Sequence, residues 1–158
     1  MGMLGSTGPR IRGGKPGVGG RRRIAVLLEP GRSGVAALQR AVALATEHEA
    51  ELTVVAVAPQ AQRTRCAAPS PQSFNDAVHD AVTGELEAAA QRLGRTDAAA
   101  NYVLLRQGHD QPLGQWLQAG SFDLVLLPAR RPMLRRPRHP EARRLRRRLD
   151  AEVRVVAP

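Results

Sequence analysis

The sequence has few aromatic residues and a single cysteine. Phe74, Tyr102, Trp116 and Phe122 are the aromatic side chains among 158 residues, so a folded core must be built mainly of Leu, Val, Ile and Ala. Because Cys66 is alone, an internal disulfide framework is excluded, which fits a reducing compartment. No apolar run approaches the ~20 residues that span a bilayer, and the N-terminus lacks the hydrophobic segment of a secretory signal. We therefore expect a cytoplasmic protein that does not insert into membranes.

Arginine is abundant instead, and it is concentrated in two places. Residues 1–23 carry a net charge of +6, residues 24–127 carry −4, and residues 128–158 carry +8. From Arg130 to Arg148, ten of 19 residues are arginine. Codon bias in a GC-rich genome would explain arginine in place of lysine, but it does not explain the clustering.

Short apolar segments alternate with segments of helical periodicity from residue 24 onward. Such alternation predicts an α/β fold with a single parallel sheet and helices on both faces. The expected strands are 24–28, 52–57, 102–105, 124–127 and 153–156, and the expected helices are 34–48, 73–94, 110–120 and 141–149. We expect one domain over residues 23–158. Residues 1–22 are expected to be a disordered basic leader, or else the product of a start codon assigned too far upstream.

Helix boundaries are predicted from capping residues. Ser73 and Asp110 precede helical patterns and are typical N-caps. Pro112 would then lie in the first turn of the third helix. Gly94 and Gly120 stand where helices end, and Gly94 is expected to adopt a left-handed conformation.

Three segments in this order resemble the universal stress protein family over residues 22–157. Ile24–Leu28 with the following turn Glu29–Ser33 resembles the family's first strand and its Asp-Gly-Ser turn. Arg106–Pro112 resembles the Gly-Asp-Pro turn before the third helix. Asp123–Leu127 and Val153–Val156 resemble the paired strands near the family's end. The resemblance implies an adenine nucleotide alpha hydrolase-like fold with sheet order 3-2-1-4-5, a non-enzymatic role in the stress response, and frequent dimerisation.

The sequence departs from the family at its nucleotide site. Glu29 stands where nucleotide-binding members have an aspartate, and its extra methylene displaces the carboxylate by about a bond length. The glycine-rich phosphate motif is lost, because Pro128, Arg131 and Glu141 occupy its glycine positions and Ala142 its hydroxyl position. Proline lacks the N–H group that a phosphate would use. We therefore expect no cofactor and no ordinary ATP binding.

What remains of a nucleotide site is small. The resemblance assigns it to Glu29, Val57, Arg130 and Arg131. Arginine side chains bind phosphate as forks, so an altered, arginine-based nucleotide site is one alternative to the loss of binding.

The arginine run has further interpretations. It is consistent with a solvated loop and helix face, with a partner surface, or with a site for RNA, DNA or another polyanion. A polyanion site would act through phosphate contacts and not through sequence, since aromatic residues for base stacking are lacking. The candidate polyanion-binding residues are Arg135, Arg136, Arg138, Arg143, Arg144 and Arg147.

No catalytic or metal-binding pattern accompanies these features. The four histidines, His48, His79, His109 and His139, are far apart in sequence, and we expect them to be exposed or to cap helices. We therefore expect neither an enzyme nor a metal site. Because Val153–Val156 is the last strand of the order 3-2-1-4-5, it should lie at the sheet edge, and the resemblance points to a homodimer through it.

Overall fold

One parallel sheet of five strands forms the centre of the molecule. The computed structural model describes residues 20–60, 71–94, 99–130, 136 and 138–158. The strands are β1 (Arg23–Leu27), β2 (Glu51–Ala58), β3 (Ala100–Arg106), β4 (Leu124–Pro128) and β5 (Glu152–Val156). Their order is β3-β2-β1-β4-β5, and all the pairings are parallel. The predicted fold class and sheet order are confirmed.

Two helices cover each face of the sheet. The helices are α1 (Arg32–Glu47), α2 (Pro71–Gly94), α3 (Leu113–Gly120) and α4 (Ala142–Arg148). Residues of α1 and α2 form one core cluster with Ile24, Val26 and Val54. Residues of α3 and α4 form a second cluster with Val125 and Leu127. β1 is buried on both faces, which explains its continuous apolar sequence.

The core is aliphatic, as the composition predicts, apart from two aromatic residues. Trp116 and Phe122 are both buried in the cluster beneath α3 and α4. Their ring centroids lie 5.4 Å apart at an interplanar angle of 36°, which is a favourable tilted geometry. The guanidinium of Arg23 lies 5.0 Å from the Phe122 centroid and closes this end of the cluster.

Gly94 and Gly120 end α2 and α3 as predicted, but two predicted N-caps and the predicted left-handed conformation of Gly94 are wrong. α2 begins at Pro71, so Ser73 lies inside the helix and is not its N-cap. Gly94 is the last residue of α2, and it is not among the residues with positive φ. The N-cap of α3 is Pro112, because the Asp110 carboxylate instead accepts a hydrogen bond from the Arg106 N–H at 2.6 Å. The left-handed residue that ends α3 is Ser121, after the predicted Gly120.

Candidate functional site

The turns after β1 and β4 lie side by side. These strands are neighbours in the sheet, with Val26 opposite Leu126. Glu29 and Arg130 each follow the last residue of their strand by two positions. Because carboxyl ends of parallel strands meet at one edge, both side chains reach the crevice where α/β folds bind ligands.

Arg130 forms a two-point ion pair with the Glu29 carboxylate. Its Nη2 donates to Oε1 of the carboxylate at 2.6 Å, and its Nε donates to Oε2 at 3.2 Å. A two-point contact of this kind is among the stronger hydrogen-bonded ion pairs. The first arginine after β4 is therefore paired with an internal carboxylate.

His139 contacts the same carboxylate from the buried side. Its side chain is 1% exposed, and its Nε2 lies 3.0 Å from Oε1 of Glu29. The backbone N–H of Glu141 donates to Nδ1 of the ring at 3.1 Å. Since Nδ1 accepts, the proton of the neutral ring is on Nε2, which donates to Glu29. The expectation that the histidines are exposed or cap helices therefore misses the main contact of His139.

A short antiparallel bridge brings His139 to this position. Arg130 and Arg138 pair across it, and the Arg130 N–H donates to the Arg138 carbonyl at 2.8 Å. His139 follows directly and turns into the interior, before α4 begins at Ala142. No pattern in the sequence signals this contact, because Glu29 and His139 are 110 residues apart.

These contacts keep Glu29 ionised. Partial burial alone would raise its pKa, but the hydrogen bonds from His139 and Arg130 outweigh that effect and hold the pKa at about 2. The same hydrogen bond raises the pKa of Arg130. At neutral pH the site is a closed ion pair, with the carboxylate oxygens occupied by internal donors.

Backbone donors at the end of β4 are also occupied. Pro128 has no N–H group, the Ala129 N–H donates to Val156 at 2.8 Å, and the Arg130 N–H donates to Arg138. Phosphate loops in this fold class bind through free N–H groups. These three consecutive positions therefore offer no free N–H group to a phosphate.

The structure brings together part of the predicted nucleotide site. Glu29 and Arg130 are in contact. Val57 lies at the end of β2 and packs against the cluster beneath α3 and α4. Arg131 lies outside the described residues.

The predicted polyanion residues are largely exposed. Arg136 and Arg138 are exposed, whereas Arg135 lies outside the described residues. The exposed arginines of α4 are Arg143, Arg144, Arg146, Arg147 and Arg148.

Four of these arginines line one surface. Arg143, Arg144, Arg147 and Arg148, together with Pro140, line an open depression of about 710 Å³. We call it the α4 depression. Within the described part of the chain, no carboxylate lies at ion-pair distance from these four arginines. Their charge is therefore available to an external anion.

Two further findings concern metal binding and membrane insertion. Among the described residues, no three His, Cys, Asp or Glu side chains are placed to hold a metal ion. None of the described helices has the length and apolar character needed to cross a membrane.

Comparison with solved structures identifies the fold. A universal stress protein family member from Burkholderia pseudomallei superposes with a TM-score of 0.65 at 21% identity, over 85% of this chain and 94% of that one. UspA from Lactobacillus plantarum superposes with a TM-score of 0.67 at 19% identity, over 85% and 97%. The chain has the universal stress protein fold.

The similarity is found by comparing structures and not by comparing sequences. No family model matches the sequence, and no curated protein matches it. Among structures with the universal stress protein fold, one from Archaeoglobus fulgidus is a complex with dAMP, and it superposes with a TM-score of 0.58 at 15% identity, over 85% and 97%. In this chain, the Glu29 carboxylate at the end of β1 is hydrogen-bonded to Arg130 and His139.

Proposed function

We propose that this chain is a divergent universal stress protein that acts by regulation and not by catalysis, without ordinary ATP binding. The observation that carries the proposal is the ion pair between Glu29 and Arg130, with His139 behind it. A nucleotide that used the Glu29 carboxylate would have to displace the guanidinium of Arg130 and the buried imidazole of His139. It would regain few contacts, since neighbouring backbone N–H groups are occupied.

The chemistry of the site also favours a role without catalysis. A general base needs a pKa near the working pH and a free lone pair. Glu29 has a pKa of about 2, so it is a poor base. Both ring nitrogens of His139 are engaged, one by the Glu141 N–H and one by Glu29.

Titration calorimetry with ATP and AMP tests the absence of nucleotide binding. We expect no micromolar affinity for either nucleotide, and mass analysis of the purified protein should find no co-purifying nucleotide. Glu29→Ala is the matched variant. Micromolar binding by the natural protein that this substitution abolishes would show that the crevice is a working nucleotide site.

A second function, polyanion binding, is favoured by the α4 depression. Arg143, Arg144 and Arg147 are exposed on α4, at spacings that place them on adjacent turns. Such a surface contacts phosphates and releases counterions. Trp116 and Phe122 are buried, so these rings are not available for base stacking and binding would not depend on sequence.

Salt dependence tests polyanion binding directly. With about six phosphate contacts, the logarithm of affinity for random duplex DNA should fall with that of salt at a slope of roughly −5. Replacing Arg143, Arg144 and Arg147 by alanine should reduce the slope by about 3 units. The control replaces the exposed Arg32, Arg40 and Arg92 of α1 and α2, which removes the same charge elsewhere. A flat salt response, or equal losses in both variants, would eliminate this function.

A further inference from the structure

The start of α4 is held by His139, which precedes the helix. The Glu141 N–H donates to Nδ1 of the imidazole at 3.1 Å, and the Ala142 N–H donates to the His139 carbonyl at 3.1 Å. Glu141, at the N-cap position, makes no capping hydrogen bond with its own side chain. Because the first N–H groups of a helix have no acceptors within it, the ring and the backbone of His139 supply two acceptors that α4 lacks.

Glu29 fixes the position of the His139 ring. Oε1 of its carboxylate lies 3.0 Å from Nε2 of His139, and the same carboxylate is paired with Arg130. Arg130 in turn pairs through its backbone with Arg138, the residue before His139. Glu29 therefore contacts one residue of this bridge and the neighbour of the other. A continuous set of contacts joins the end of β1 to the start of α4.

The sequence of α4 makes such external support necessary. The helix has seven residues, and five of them are arginine. A helix this short is not stable by itself in water. Arg143 and Arg147, like Arg144 and Arg148, are four residues apart, and like charges at this spacing destabilise a helix. The order of α4 therefore depends on contacts with the rest of the protein.

The other contacts of α4 hold the side of the helix that faces the sheet. Ala142 and Leu145 are buried in the core. The guanidinium of Arg146 donates to the Val153 carbonyl of β5 through Nε and Nη2, each at 3.2 Å. These contacts keep α4 on the sheet, so loss of the contact between Glu29 and His139 should loosen its first turn and not detach the helix.

We infer that Glu29 is a positioning residue for the α4 depression: through His139 it holds the first turn of α4 against the repulsion among the arginines, and it so arranges them for a polyanion. The inference rests on the polyanion binding proposed above. A bound polyanion would neutralise the repulsion that the Glu29 contact opposes. The two therefore stabilise the same arrangement, and each should strengthen the other.

Amide hydrogen exchange tests the positioning role without a ligand. In Glu29→Ala, the Glu141 and Ala142 N–H groups should exchange about tenfold faster or more, the effect of losing a hydrogen bond to a charged group. The reference is the Trp116 N–H, which donates to Pro112 in the first turn of α3 and reports any change in overall stability. Glu29→Gln keeps an oxygen acceptor and should give a smaller effect, so it serves if the alanine variant does not fold. Equal acceleration at α3 and α4 would overturn the inference.

Binding of duplex DNA at low salt tests the effect on the depression. On charge alone, removal of the Glu29 carboxylate should strengthen binding, because the protein loses a negative charge. The positioning role predicts the opposite, an affinity lower by about threefold or more, since arginines that must be ordered on binding bind more weakly. Asp150→Ala is the matched control, because it removes the same charge from an exposed residue just beyond the other end of α4.

The outcomes separate this inference from the proposed function. An affinity of Glu29→Ala that equals or exceeds that of Asp150→Ala would overturn the inference and leave polyanion binding standing. A natural protein that binds no duplex DNA at low salt would show that polyanion binding is wrong. The exchange comparison would then still decide whether Glu29 positions α4.

Relief of the repulsion distinguishes positioning from a general loss of packing. Arg147→Gln removes one charge of the pair with Arg143 and substitutes a residue of similar helix propensity. Added to Glu29→Ala, it should slow exchange in the first turn of α4 by about twofold. Arg40→Gln, at an exposed position of α1, is the control and should not slow it. Equal effects of the two substitutions would contradict the role of repulsion in the inference.

Discussion

Glu29 lies at the end of the sheet where α/β folds bind ligands, and its carboxylate is held there by hydrogen bonds from within the protein. Its Oε1 accepts from both Arg130 and His139, and its Oε2 accepts from Arg130. Arg130 is about half exposed, whereas the His139 ring is almost completely buried. The contact therefore combines the half-exposed guanidinium of Arg130 with the buried imidazole of His139, and both favour the ionised carboxylate.

The low pKa of Glu29 predicts a pH-dependent contribution to stability. Its folded pKa of about 2 lies below the ordinary value of 4.5 for a glutamate carboxyl, so the contribution is complete above about pH 5. It is lost as pH falls towards 2, because the unfolded chain binds the proton first. Relative to Glu29→Gln, the natural protein should be more stable by about 2 kcal/mol at pH 7, allowing for solvent screening.

Urea denaturation at pH 7, 5, 4 and 3 measures this difference. It should shrink steadily at the lower values. Glu87→Gln, at an exposed position of α2, is the control and should change stability little. Parallel stability curves for the natural protein and Glu29→Gln would mean that the ion pair does not stabilise the fold.

Part of the site could be predicted from sequence. Glu29 and Arg130 follow apolar segments that are expected to be neighbouring strands, so their proximity follows from the sheet order. His139 could not be assigned in this way. Its position depends on the Arg130–Arg138 bridge, which joins residues in an arginine-rich segment with no periodic pattern.

The first turn of α1 is packed closely against the segment that carries Glu29. A Cβ atom at Gly34 would overlap the Glu29 backbone carbonyl, whereas one at Gly84, in the exposed middle of α2, would contact nothing. The absence of a side chain at Gly34 therefore allows α1 to begin directly beside the site.

The two glycines should respond to alanine in opposite directions. Gly34→Ala should lower the free energy of unfolding by about 1–3 kcal/mol, as overpacking does. Gly84→Ala should raise it by about 0.5–1 kcal/mol, since alanine is the better helix former. Thermal unfolding of both variants measures the contrast. Stabilisation by both substitutions would show that the helix does not approach Glu29 closely.

Helix starts were harder to predict than helix existence. Asp110 has the residue type and position of an N-cap, but its carboxylate is taken by the Arg106 N–H and guanidinium. Ser73 precedes an apolar stripe, yet α2 extends two residues further back to Pro71. The Arg106 contact of Asp110 leaves no signal in the local pattern, whereas Pro71 at the first helical position is a known start signal that the choice of Ser73 overlooks. The helical periodicity also predicts one buried face of α2, formed by Val78, Val82, Leu86, Ala89 and Leu93. The last three are buried, whereas Val78 and Val82 are only half-buried.

The charge distribution of the chain follows its architecture. The acidic region, residues 24–127, supplies four of the five strands, in whole or nearly so, and three of the four helices. The basic C-terminal region supplies α4 and the edge strand β5, and the arginines of these two elements lie at that edge of the sheet and are exposed. The alternation of strand and helix predicts a parallel sheet, because parallel strands require crossover connections, whereas the sheet order 3-2-1-4-5 is what the family resemblance implies.

Removing residues 1–20 should leave the fold intact and lower the net charge by three, through the loss of Arg10, Arg12 and Lys15. All buried core residues of the described chain lie between Ile24 and Val153. The backbone contact nearest this cut, from the Glu51 N–H to the Arg22 carbonyl at 2.8 Å, is retained. The midpoint of thermal unfolding should therefore be nearly unchanged. A truncated protein that unfolds would place structural contacts within the leader.

The same truncation should weaken duplex DNA binding less than alanine at Arg143, Arg144 and Arg147 if the α4 depression is the phosphate-binding surface. Equal or greater weakening would assign polyanion binding to the leader instead.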